Sequence, residues 1–341
     1  MSILYIDGFE WVEDQVQAYG GAGRWTTGSG TASYFDVESD TASGGGLAIQ
    51  LQASADLVTV VDTGDSDTLF VGVRFRMKTL PSSTSVVLEF PSNSASNGFH
   101  LRLYMTNTGH LRATRYTTAL ETAGVALSAN TWYYLEVKVF VDNSVGTFEV
   151  RVDGSPTPII DFTGDTMNGG TADMSAVRLE GNLVFFQYDD FYMADAADSQ
   201  DFLGDVAVYT IVADGAGTDA DFTPLAGSNH QNVEELPQDN STYNESDVVD
   251  DRDRFTFGNL PADTDAVYAV QVGAYAQKDD AGAREIRLLS HDGTTERESA
   301  AISPGTDWQW HFDLQEDHPS GASAWTESEV NGGQFGYTVE S

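Results

Sequence analysis

The chain has 341 residues, 40% of them hydrophobic and 20% charged, enough to build two packed domains. Its 53 acidic residues against 16 basic ones give a formal net charge of -37, and Lys78, Lys138 and Lys278 are its only lysines. Such a charge disfavours nucleic acid and anionic membranes as partners, and the absence of cysteine excludes a disulfide framework or a thiolate metal site.

Met1 to Glu10 lacks a charged region followed by a long apolar run, so it reads as a first strand and not as a signal peptide. No apolar run reaches the length of a membrane span. Period-two alternation between turn-forming clusters then recurs along the chain. It predicts strands at Leu69–Lys78, Ser85–Phe90, Phe99–Met105, Leu111–Arg115, Trp132–Val141, Thr147–Asp153, Ala176–Glu180 and Phe185–Met193.

Two hairpins can be registered from the sequence. A turn at 142–145 sets Val139 opposite Phe148 and Val137 opposite Val150, with Lys138 facing Glu149 and Glu136 facing Arg151. A one-residue slip would turn the valines into solvent, which fixes this register. A turn at 107–109 sets Met105 opposite Leu111 and Leu103 opposite Ala113.

A small polar segment at 194–204 marks a domain break. Beyond it a strand is predicted at Asp205–Ala213, then a long loop from Asp214 to about Asp251. Strands resume at Arg254–Phe257, Ala266–Ala276, Ala283–Ser290, Trp308–Asp313 and Gln334–Glu340, with a helical turn over 324–330. Evenly spaced strands of this kind define an all-β protein of sandwich or jelly-roll type.

Trp132 to Val139, Gly146 to Gly154 and the closing Tyr188-Asp189-Asp190-Phe191-Tyr192 resemble the concanavalin-A-like lectin/glucanase sandwich and its laminin-G-like relatives. The resemblance implies a jelly-roll domain over 1–197, a linker at 198–204 and a second, smaller β-sandwich over 205–341. Leu4 to Glu10, Asp201 to Val206, Ala276 to Gly282 and Ala324 to Glu327 look like segments of tailed-phage virion proteins. This second resemblance implies a capsid decoration or vertex turret protein, or a tail fibre or baseplate component. Its partners would be other virion proteins, further copies of itself and host-surface glycans. It would be made in the host cytoplasm and carried out on the particle.

Glycosidases of the lectin/glucanase fold need two carboxylates about 5–9 Å apart, and the Glu-x-Asp-x-Glu run of glucanases is missing here. Glu136 and Glu149 each face a basic partner in the predicted register, which would hold them ionised. Asp189 and Asp190 are adjacent and so point to opposite faces. A hydrolase is therefore the weakest expectation. Clustered carboxylates suit Ca²⁺, and Asp62, Asp65 and Asp67 form the tightest cluster; Asp214, Asp219, Asp221 and Asp247, Asp250, Asp251, Asp253 form two more.

Alternation sets Arg74, Arg76 and Lys78 on one face of their strand, and His100, Arg102 and Tyr104 on one face of the next hairpin, with Arg112 near Tyr104. Arg74, Arg76, His100, Arg102, Tyr104 and Arg112 are the candidate contacts for a glycan or an acidic partner. The competing reading is a solvated face that places few cations against many acids. Trp308, Trp310 and Phe312 share one parity and are expected to pack the second core. Finally, an Asp-rich, Lys-poor surface repels itself in dilute solution. High salt relieves this, with a Debye length of about 3 Å at 1 M, so strong brine is the expected setting, against the alternative of an ordinary acidic extracellular protein.

Overall fold

A computed structural model describes residues 2–10, 25–29, 35–39, 46–52, 56–60, 66–181, 185–196, 201–236, 238, 240–321 and 323–341. The chain folds as two compact units that divide between Val208 and Tyr209, four residues past the end of the predicted linker.

The first unit contains β1 (Ile3–Asp7), β2 (Thr26–Ser29), β3 (Phe35–Ser39), β4 (Leu47–Leu51), β5 (Asp56–Val60), β6 (Thr68–Met77), β7 (Ser85–Pro91) and β8 (Phe99–Met105). It continues with β9 (His110–Arg115), β10 (Thr118–Ala126), β11 (Tyr133–Phe140), β12 (Gly146–Val152), β13 (Ile160–Gly164), β14 (Ala176–Glu180) and β15 (Phe186–Asp195). They form two antiparallel sheets. One runs β13-β12-β11-β6-β15-β4-β3 with β1 also on β15, and the other runs β10-β9-β8-β7-β14-β5-β2. The chain crosses repeatedly between the sheets, with β7–β10 consecutive in one and β11–β13 in the other, as in a jelly-roll sandwich.

Both registers predicted from alternation are present: Val139 pairs with Phe148 and Val137 with Val150, and Met105 pairs with Leu111 and Leu103 with Ala113. The alternate residues fill the space between the sheets. Val71, Val73, Phe75, Leu101, Leu103, Leu111, Val137, Val139, Phe148 and Val150 are all fully buried, each worth about 1.5–3 kcal/mol of transfer free energy. Phe90 meets Phe148 edge-on across the core at 6.1 Å. The Tyr188 hydroxyl crosses from β15 to the other sheet, where it donates to the Glu180 carbonyl at 2.6 Å and lies 3.0 Å from the Val87 carbonyl.

Strand β15 lies along β6 on one side. On the other it pairs first with β4, through Phe186–Tyr188, and then with β1, through Phe191–Ala194. The change of partner falls at a bulge between Asp189 and Tyr192, where Asp190 takes a left-handed φ of 48°. Asp tolerates that conformation better than most residues.

The second unit has β16 (Ala213–Ala220), β17 (Thr223–Pro224), β18 (Asn244–Glu245), β19 (Arg252–Phe257), β20 (Val270–Ala276), β21 (Ile286–His291), β22 (Glu296–Glu298), β23 (Gln309–Gln315), a helix α1 (Glu327–Gly332) and β24 (Gln334–Val339). A five-stranded sheet, β16-β19-β24-β21-β22, and the two-stranded β20-β23 ribbon enclose a small core of Val272, Leu288, Trp325, Val330 and Phe335. Thr326 caps α1 through the Glu329 N–H at 3.3 Å, and the Glu329 carboxylate accepts the Thr326 N–H in return at 2.8 Å. The strand predicted at 205–213 is instead irregular up to residue 212, and β16 sits inside the predicted loop. Its Ala-Asp-Gly-Ala-Gly-Thr-Asp-Ala sequence has no large apolar residue to mark it, because it is an edge strand.

Candidate functional site

The six candidate residues do not share one face. Arg74 and Arg76 lie on β6 of the eight-stranded sheet, while His100, Arg102, Tyr104 and Arg112 lie on β8 and β9 of the seven-stranded one. Alternation fixes which side of a strand a residue takes. It does not say which sheet the strand joins.

On the outer face of the seven-stranded sheet, Arg102, Glu89 and Arg178 come from three adjacent strands in register. Glu89 is 2% exposed and takes a guanidinium on each oxygen, from Arg102 Nε and Arg178 Nη1, both at 2.5 Å. Arg102 also covers the Phe99 ring at 3.7 Å and donates to the Tyr104 hydroxyl at 3.2 Å. Its charge is spent inside the protein. Arg112 differs. It sits over Tyr104 at 5.7 Å, and its buried Nε has no hydrogen-bond partner among the described residues, nor does the Thr114 hydroxyl two residues along the same face.

His100 is fully buried under the β13–β14 connection. The Asn168 N–H donates to its Nδ1 at 2.9 Å, which leaves the proton on Nε2 to meet the Thr171 carbonyl at 3.1 Å. Ser92, Ser94 and Thr171 all donate to Asp173 nearby. The set resembles a nucleophile, base and acid, but both imidazole nitrogens are engaged by backbone and neither is open to a serine. This is a lock between loops, and no spacing in the sequence marks it. Burial pushes the His100 pKa below 6.5, against the pull of Asp173. The unfolded chain therefore binds the proton first, so this histidine costs stability as pH falls below about 6.5 and none above it. Imidazole ¹⁵N NMR is expected to show Nδ1 unprotonated with a midpoint below 6.5; a midpoint at or above 6.5 would refute this assignment.

The outer face of the eight-stranded sheet is covered by residues 201–208. Phe202 packs on Phe70 at 5.7 Å and lies under Arg151 at 4.2 Å. The Gly204 N–H donates to Glu136 at 2.8 Å, and the Val208 N–H to Asp190 at 2.7 Å. Arg74 joins the layers: its Nε donates to Asp190 at 2.7 Å and its Nη2 to Asp205 at 2.9 Å. Tyr192 crosses Gly72 to reach Glu136 at 2.9 Å. Any Cβ at Gly72 would collide with that ring, which explains a glycine in mid-strand.

Arg151 stands opposite Glu136 as the predicted register requires, but it does not bond to it. The Arg151 guanidinium turns to Glu149 and Asp201, at 2.7 and 3.1 Å. Burial then raises the Glu136 pKa in spite of its hydrogen bonds to Gly204 and Tyr192. Asp189 and Asp190 are both buried, and Asp190 is held by Arg74. Arg76 meets no carboxylate among the described residues: its Nε donates to Gln187 at 2.6 Å and its guanidinium stacks on Trp132 at 4.5 Å.

Of the first calcium candidate, Asp62 and Asp65 lie outside the described residues, and Asp67 accepts from the Thr68 hydroxyl at 2.8 Å. The other two clusters are dispersed. Asp214 accepts from Thr256, Asp219 pairs with Arg254, and Asp221 accepts the Arg252 N–H. Asp251 takes Ser246, while Asp253 is buried beside Asn229 and Phe222. Among the described residues no three His, Asp or Glu side chains converge to hold an ion.

Fold and site together define an all-β protein of two sandwich units whose outer sheet faces carry ion-paired arginines. No family model matches the chain, and no curated protein does. Among solved structures, domain 4 of a GH43 arabinanase from Geobacillus stearothermophilus aligns at 12% identity over 57% of this chain and 92% of its own, with a TM-score of 0.39. A GH131 β-glucanase catalytic domain from Podospora anserina gives 12%, 58%, 98% and 0.39. A mutant Trypanosoma rangeli sialidase gives 15% identity over 47% of this chain and a TM-score of 0.36, and this chain spans 27% of its length. These likenesses are too weak to argue from, and the sandwich assignment rests on the sheets themselves.

Proposed function

We propose that the protein is a non-enzymatic surface component of a tailed-virus particle of a salt-loving host, a capsid decoration or vertex turret. One observation carries the setting. Arg74, Arg102, Arg151, Arg178, Arg252, Arg254 and Arg287 are each tied to carboxylates of their own unit. Seven of the sixteen cations are thus consumed internally, which leaves the outward charge dominated by carboxylate, and such a surface is comfortable only where ions screen it. The particle itself is supported by the order of phage-like segments along the chain. Arg112 and Tyr104, a guanidinium over an aromatic ring with no carboxylate on it among the described residues, are the contact for an acidic glycan or an acidic neighbour, and symmetric copies on a particle would multiply that weak contact.

An electron-microscopy map of the intact particle at side-chain resolution tests the proposal. Density for this chain on the shell or vertices is the expected result. Density at the tail tip or fibres would replace decoration with adsorption, and absence from the particle would end the virion reading.

A further inference from the structure

The second unit carries an aromatic row that its core does not use. In the β20-β23 ribbon, Val270, Val272 and Ala274 face the core cluster, opposite Gln315, Asp313 and His311. The alternate positions, Gly273 and Tyr275 with Phe312 and Trp310 opposite them, lie on the other side. The expectation that Trp308, Trp310 and Phe312 pack the core is therefore overturned: same parity was right, but the face is the one turned away.

On that face Trp310 stacks with Phe312 at 5.5 Å and 16°, and Tyr275 with Trp308 at 5.4 Å and 20°. Tyr275 also meets Trp310 at 5.5 Å, and Tyr243 extends the row from Trp308 at 6.0 Å. Five rings from three chain segments converge, all of them half-buried. Gly273 makes room for them, since a Cβ there would stand 3.0 Å from the Phe312 ring and 3.4 Å from Trp310. The buried Trp310 indole N–H has no acceptor among the described residues, a state that costs about 1–3 kcal/mol when left unmet.

Charge selects the occupant. The cations of this unit are Arg252, Arg254, Lys278, Arg284, Arg287 and Arg297. Arg252, Arg254 and Arg287 are paired with carboxylates, and Lys278, Arg284 and Arg297 donate to backbone carbonyls. An anionic ligand meets repulsion here. A neutral sugar does not: its hydroxyls donate to carboxylates, and the C–H face of a pyranose complements the negative face of an aromatic ring. Neither contact depends on long-range charge, so both persist in strong salt.

We propose that the ribbon face bearing Tyr275, Trp308, Trp310 and Phe312 is a binding site for neutral oligosaccharides. The site belongs to the second unit and does not depend on the virion reading; it would hold equally for a free protein.

The test titrates the full-length protein in concentrated KCl with cellopentaose, maltopentaose and, as the anionic control, trigalacturonate. Tryptophan fluorescence and saturation-transfer NMR report binding. At least one neutral pentasaccharide is expected to give a saturable shift, and trigalacturonate none. Trp310→Ala is expected to weaken binding by about tenfold or more. Gly273→Val, which keeps every ring but puts a branched Cβ beside Phe312, is expected to weaken it with the far-UV circular dichroism unchanged. Should Trp310→Ala not fold, Tyr275→Leu serves in its place, keeping apolar volume without a ring. Failure of both neutral sugars to bind overturns the proposal, as does undiminished binding by the folded variants. Self-association that Trp310→Ala abolishes, with no sugar binding, also overturns it by naming a second copy as the occupant.

Discussion

Arg74→Met is expected to lower the unfolding free energy by about 3–5 kcal/mol, measured by chemical denaturation in concentrated KCl. The guanidinium is 13% exposed and Asp190 beneath it 2% exposed. Removing the cation takes from the buried Asp190 carboxylate the guanidinium that pairs with it, and releases Asp205 from the same anchor. Adding Asp190→Asn removes the stranded charge and suits the left-handed backbone there, so the double variant should recover part of the loss. A change below about 1 kcal/mol for Arg74→Met would show that the pair behaves as an exposed one and that residues 201–208 do not seal it.

Lowering the salt is expected to have the second large effect. Between about 1 M and 0.01 M the Debye length grows from about 3 Å to about 30 Å, and the net charge of -37 then acts across the whole molecule. Unpaired surface carboxylates feel the change most. Glu89, shielded between Arg102 and Arg178, feels it least. The melting temperature should fall by about 10 °C or more, as expected for the loss of about 3–5 kcal/mol in a protein with domains of this size. Equal melting temperatures in dilute and concentrated KCl would remove the argument for brine.

These expectations divide by how far each was legible in the sequence. The β11-β12 register could be written down in advance because valines alternate with Glu136, Lys138, Glu149 and Arg151 on both strands. Position within a layer was not legible. Arg76 and Arg102 have the same local pattern, yet they stand on different sheets because successive strands cross between them. Trp310 and Phe312 were correctly placed on one side of β23, but the other side of that strand carries His311, Asp313 and Gln315, so β23 read by itself turns its rings inward. The usable signal was across the ribbon, where Val272 and Ala274 mark the inner side and Gly273 the side with room for rings. Asp189-Asp190 read as ordinary strand, since a bulge that hands β15 from β4 to β1 depends on residues far away in sequence. Of the cover at 201–208, residues 201–204 were read as linker from their small and polar neighbours and 205–208 as the start of a strand, although Phe202 and Gly204 make specific contacts there.

The place of β15 also constrains how the first unit is made. It is the last strand of its sheet in sequence, yet it lies between β6 on one side and β4 and β1 on the other. Until residues 186–195 have been synthesised, the early strands β1 and β4 have no route to β6, and the sheet exists as three unjoined pieces, β1, β3-β4 and β6-β11-β12-β13. Closing them requires pairings separated by more than a hundred residues, such as Tyr188 with Ile49. Loop-closure entropy makes that a slow step. Such a chain would carry open strand edges until β15 arrives, and the mutual repulsion of its dense carboxylates disfavours their pairing with a neighbour.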